Sequence, residues 1–135
     1  MNTLIVIRPD QMHTIQKQDP NAYSVQISGS LIQSWNDYWN AMSAAFRFPD
    51  LPSNMEKDYH SYYDLMTDLS WLSTDEIYLF IEDSDRFLRE EPTLKEDLIH
   101  DFQEYLLPFW ESEVEQTVVG GKKKMFNVYL VSSNE

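Results

Sequence analysis

No cysteine occurs among the 135 residues, which removes disulfide frameworks, thiolate metal sites and a cysteine nucleophile together. A reducing compartment fits that absence, and a cytoplasmic location is expected. Glycine is scarce. Gly29, Gly120 and Gly121 are the three present, and none opens a helical pattern, so no phosphate-cradling loop or nucleophile elbow is available. Long apolar runs are missing too. The run at the N-terminus covers only Leu4 to Ile7 and follows no basic stretch, too short for a signal peptide or a membrane span. Basic residues are few, with 10 Lys plus Arg against 23 Asp plus Glu and a formal net charge of −13. Such a field repels nucleic acid and anionic membranes and steers the chain toward basic partners.

What the chain does have is apolar and aromatic surface to bury: 42% hydrophobic residues and 14% aromatics exclude a disordered chain and suit a single domain over 1–135. Strand patterns cover residues 3–7, stopped by Pro9, then 22–27, 76–81 and 125–131. The polar segment 10–22 carries a turn signal at Asp19-Pro20-Asn21 and suggests no role. A helix over 34–46 is predicted, with Ser34 as cap, Asp37 three residues on, and Trp35, Tyr38, Trp39, Met42 and Phe46 on its buried face. A loop with two prolines follows at 49–56. A second helix is expected over 57–71 and a third from Thr93, capped with Glu96, to about Phe109, with Leu98, Phe102, Tyr105 and Leu106 on its apolar face and Pro108 ending or kinking it. Residues 111–124 suggest a mobile connection, with Lys122 to Lys124 a solubilising turn and Trp110 covering the end of the core. Strands separated by helices imply an α/β fold with a small three-stranded parallel sheet packed by helices, and an extra N-terminal edge strand from residues 3–7.

The segment 57–71, KDYHSYYDLMTDLSW, is amphipathic. Tyr59, Tyr62, Leu65, Met66 and Leu69 share one arc and are expected inside. Lys57, His60, Ser61, Asp64, Thr67 and Asp68 share the opposite arc, with Tyr63 at the border. Asp64 and Asp68, four apart, stack two like charges, a cost of roughly 0.2–0.5 kcal/mol in an isolated helix. Taken by itself this stripe is a solvated face. The three histidines, His13, His60 and His100, lie in three different segments. His60 and Asp64 share a helical face and could hold a metal between them, but with no third ligand nearby neither a metal site nor a metal-dependent enzyme follows. Carboxylate pairs drawn from Asp64, Asp83 and Asp85 arise by chance in so acidic a chain, and no cofactor is implied.

Three blocks resemble the barstar-like family of intracellular ribonuclease inhibitors: ISGSLIQSWNDYW at 27–39, FRFP at 46–49, and DYHSYYDLMTDLSW at 58–71. The resemblance spans roughly 23–133 and leaves 1–22 as an N-terminal extension. It implies a small parallel sheet covered by helices, and a helix that plugs a nuclease site with carboxylates in the places of substrate phosphates. On that basis Asp64 falls on the family's principal phosphate-mimicking aspartate. Tyr63 takes a tryptophan position, Thr67 an interface threonine, Asp58 an asparagine and Tyr59 a leucine or tryptophan. Asp68 lies beside them, and Glu104 stands for a contributing glutamate on the later helix. Two departures mark the same region. His60 replaces a second interface aspartate, and the loop before the helix has Glu56 near the place of a glycine and is about three residues longer. The resemblance therefore implies an immunity- or antitoxin-like protein, monomeric when free, whose partner is a basic nuclease toxin other than barnase. The alternative is an acidic protein-binding module or nucleic-acid mimic that regulates another basic protein.

Overall fold

The computed structural model describes residues 1–52 and 54–133. Four strands run parallel in one sheet: β1 (Leu4–Ile7), β2 (Tyr23–Ser28), β3 (Glu76–Glu82) and β4 (Met125–Val131), in the spatial order β1-β4-β3-β2. The expected three-stranded sheet is thus present with its N-terminal edge strand in place. Ile77, Leu79 and Ile81 of β3 and Phe126, Val128 and Leu130 of β4 enter the main core, while Tyr78, Phe80, Tyr129 and Val131 enter a smaller cluster. Their period of two puts alternate residues on opposite faces, and both faces are covered, which is why these strands are apolar almost throughout.

The second face is covered by a helix that the sequence reading leaves without a role. α1 (Pro9–Gln18) buries Met12 against Ile7, Tyr78 and Tyr129, with Ile15 and Ala22 beside it. Pro9, read as a strand stop, also occupies the first helical position, where its missing N–H has no partner to lose. Just two apolar residues three apart mark the buried face of α1, too few for a periodic signal. β1 is held by more than its ladder. The Asn2 side-chain amide donates to Leu107 O and Lys124 O, both at 3.1 Å, and its Oδ1 accepts from the Phe126 N–H at 3.0 Å.

The main core lies on the other face. Gly29 follows β2 where a Cβ would come within 2.5 Å of the Glu82 carbonyl oxygen, so the close approach of β2's end to β3's end requires glycine. α2 (Trp35–Ala45) begins at Ser34, whose hydroxyl accepts the Asp37 N–H at 3.1 Å, as expected. It ends where Arg47 turns left-handed, φ 53°. The loop that follows is seen on both sides of Ser53, which lies outside the described residues.

After α3 (Tyr59–Met66) and β3, α4 (Pro92–Asp101) is capped two residues earlier than expected: Glu91 precedes it and Pro92 takes the first position, so Thr93 caps nothing. Nor does Pro108 end the helical run. Wide, π-type turns at Phe102–Leu106 and Phe109–Glu113 flank it, and the run continues into α5 (Val114–Thr117). The widened turns absorb the hydrogen bond that a proline cannot give. The segment expected as a mobile connection is therefore helical to Thr117. Lys124 beyond it is no solubilising turn residue, because its ammonium donates to Thr74 O and lies over the Trp110 ring.

Asn2→Ala is expected to lower stability by about 1–3 kcal/mol, because it orphans two carbonyls and an N–H of partly buried backbone. Urea unfolding measures it; a change within about 0.5 kcal/mol, as for ordinary surface substitutions, would count against this role.

Candidate functional site

α3 has only eight residues, a length that would be marginal as an isolated helix. Asp58 caps it, its carboxylate accepting the Ser61 N–H at 2.9 Å. That backbone hydrogen bond is the largest cause holding the Asp58 carboxyl below the ordinary carboxylate range. The helix is shorter than the predicted 57–71. Thr67 folds its hydroxyl back onto Tyr63 O at 2.8 Å, and buried Leu69 turns left-handed, φ 48°. A left-handed residue just past the last turn ends a helix.

Three indole N–H groups fix this segment. Trp35 donates to Lys57 O at 2.7 Å, one residue before the cap, and Trp110 donates to Met66 O at 2.9 Å, in the last helical residue. Trp71 donates to Phe46 O at 2.8 Å and so ties the exit of α3 to the end of α2. Beneath, Tyr38 and Tyr62 are fully buried and share a 2.6 Å hydroxyl contact. Burial pushes both phenols well above their ordinary range.

The helix is rotated slightly from the sequence reading. Tyr62, Leu65 and Met66 are buried as expected, but Tyr59 is 47% exposed and Ser61 is buried. Tyr59 stays out because its ring lies against Tyr62 and Tyr63 while its hydroxyl donates to the Asp101 carboxylate on α4. On the outer face His60 and Asp64 are exposed, Tyr63 and Thr67 half-buried; Asp68, also exposed, lies beyond the helix end rather than in a stack with Asp64. His60 Nε2 stands 3.5 Å from Asp64 Oδ2. Among the described residues no group of three His, Asp or Glu side chains is placed to hold a metal, and none joins this pair.

Tyr59, His60 and Tyr63 gather with Tyr105 round a shallow hollow of about 310 Å³. Glu104 is exposed on the first wide turn, and no hydrogen bond or ion pair links it to α3 among the described residues. Three neighbours escaped the sequence reading. Tyr105, expected inside, is 51% exposed. Glu113, on the second wide turn, helps Asp101 raise the Tyr63 phenol, although burial is the larger cause. Asp101 is only 2% exposed, and its Oδ2 has no hydrogen-bond partner among the described residues. A signal for it existed: Leu98, Asp101, Phe102 and Tyr105 follow the i, i+3, i+4, i+7 spacing of a buried helical face, with a carboxylate in the second place.

No helix among the described residues is long and apolar enough to cross a membrane. The family described as Barstar (barnase inhibitor) matches residues 22–126, from the start of β2 into β4, and leaves β1 and α1 outside the match. No curated protein matches the chain.

Burial raises the Asp101 carboxyl above its ordinary range, against the lowering effects of the Tyr59 hydrogen bond and His100. As pH rises above about 4, the unfolded chain ionises this group first. The folded state is therefore penalised increasingly until the raised folded value is passed. Asp101→Asn is expected to raise the melting temperature at about pH 7.5 and to lose that advantage near pH 4. Thermal unfolding at the two pH values checks it, and an equal shift at both would show that ionisation is not the cause.

Proposed function

Since the chain belongs to the barstar (barnase inhibitor) family, we propose that it is an inhibitor of a basic nuclease, an immunity- or antitoxin-like protein that blocks the enzyme's active site with the outer face of α3. A nuclease site must hold phosphate, and it does so with Arg, Lys and His donors. A carboxylate offered at the right place satisfies the same donors. Asp64 fills that role, supported on one side by Tyr63 and Tyr59 and on the other by Thr67. The observation that carries this reading is the setting of Asp64: an exposed carboxylate on a helix tied at Lys57 by one indole and at Met66 by another. A carboxylate so placed binds without first paying to order its own segment.

His60, where the family carries an acid, and the loop before α3 adapt the surface to a target other than barnase. The protein's acidity, net −13, draws a basic enzyme in from a distance. Asp58 serves chiefly to cap the helix, and Glu104 and Glu113 extend the negative field on the adjoining turns. Asp68 adds charge past the end of α3.

Asp64→Ala is expected to weaken the complex with the nuclease that co-purifies with the protein, or is encoded beside it, by about 3–5 kcal/mol, the usual effect of removing one partner of a buried ion pair. Calorimetric titration of the two forms measures the difference, and unchanged affinity would refute the site. Association should slow as salt is raised from about 0.01 to 0.15 M, where the screening length falls from about 30 to 8 Å. Stopped-flow rates independent of salt would exclude steering by the protein's field.

A further inference from the structure

Behind Tyr59, between the start of α3 and the inner face of α4, lies a cleft of about 670 Å³. Its walls are apolar and aromatic: Trp35, Tyr59, Leu94, Leu98 and Tyr105. Asp101 lines it as well. That residue is 2% exposed; one carboxylate oxygen takes the Tyr59 hydroxyl, while the other has no hydrogen-bond partner among the described residues. An unsatisfied buried acceptor is costly to keep and becomes an asset once a donor arrives. The rim adds two exposed carboxylates, Asp58 and Asp97, against Lys57 and His100. The Lys57 backbone carbonyl accepts the Trp35 indole N–H there.

We propose that this cleft is the socket for an arginine side chain of the protein partner, entering with an apolar neighbour, and that Asp101 Oδ2 accepts its guanidinium N–H. The assignment rests on the inhibitor reading above and adds a second anchor to it, apart from Asp64. Arginine fits better than lysine. Its planar, weakly hydrated guanidinium stacks on aromatic walls and donates to a carboxylate from a fixed fork. The volume exceeds one side chain and falls within the range of built ligand sites, about 300–1,000 Å³, hence the apolar neighbour. Continuity with α3 argues for a protein as the source of the cation, because Tyr59 and Tyr105 line both this cleft and the hollow beside His60 and Tyr63. Half-exposed Tyr59 is the wall that gives way.

The probe is the blocked tripeptide acetyl-Leu-Arg-Leu-amide, titrated into the ¹⁵N-labelled full chain and followed by NMR. A twin with citrulline in place of arginine keeps the shape and loses the charge. The arginine peptide is expected to move the Trp35 indole and the Tyr59 and Asp101 amide signals. The citrulline peptide should bind at least tenfold more weakly, and Asp101→Asn should weaken the arginine peptide at least tenfold. Should that variant misfold, the exposed Asp97→Asn is used instead, with a smaller loss expected. Asp64→Ala should leave peptide binding unchanged, so the socket and the inhibitor surface stand or fall separately. Three results would overturn the proposal: equal binding of the two peptides, loss of binding on Asp64→Ala, or benzamidine binding more tightly than the peptide, which would make the cleft a small-molecule site.

Discussion

Everything on the outer face of α3 depends on indole hydrogen bonds made beneath it. An eight-residue helix contributes little stability of its own. Here its entry carbonyl, at Lys57, and its last carbonyl, at Met66, are each held by a tryptophan from another element. Carbonyls at a helix C-terminus otherwise lack partners, so the Trp110 bond satisfies a group as well as fixing a position. Trp35 and Trp110 are themselves packed against the main core, with Trp35 against Tyr38, Trp39 and Tyr62 and Trp110 against Phe109. Rigidity therefore passes from the sheet through the aromatic layer to the backbone of the helix, without relying on the helix's own propensity.

That layer also explains the wide turns of the C-terminal helical run. Trp110 must reach Met66 while Phe102, Leu106 and Phe109 remain buried. Their spacings of four and three would suit a regular helix, but Pro108 interrupts its hydrogen bonding. Two widened turns let the chain pass the proline and still deliver Phe109 and Trp110 inward, with Lys124 closing over the indole. A helix ended at Pro108 would leave Met66 O without its donor.

Much of this was legible in the sequence, and the failures have physical causes. The strands were readable because buried parallel strands are apolar on both faces, and α2 because a serine cap precedes a full apolar stripe. α1 was unreadable because only Met12 and Ile15 mark the face that packs on the sheet. The ends of α3 were misjudged because hydrogen bonds from distant residues, Trp35, Trp71 and Trp110, hold them and no local pattern encodes those. The C-terminal run was misjudged because widened turns carry it past Pro108. Around the site, periodicity found the exposed carboxylate at Asp64 but placed Tyr59 and Tyr105 inside. Both rings lie near Asp101, Tyr59 bonded to it, and a carboxylate that keeps a tyrosine at the surface cannot be inferred from spacing.

Under the inhibitor reading proposed above, His60 bears most on specificity. It is 84% exposed at its side chain and stands within ion-pair distance of Asp64, itself 56% exposed. A surface pair of this kind contributes about 0–1 kcal/mol, so a partner's guanidinium or ammonium can take Asp64 from it at little cost. Yet the imidazole replaces what an acid would offer, a second acceptor one turn earlier on the same face. A target matched to this surface therefore concentrates its donors on Asp64, not on both positions. Any further cation it presents must look for charge elsewhere, toward Glu113 and the α4 side of Tyr59. On that reading, an imidazole in place of an acid moves the demand for complementarity from the middle of α3 toward the helical run that packs beside it.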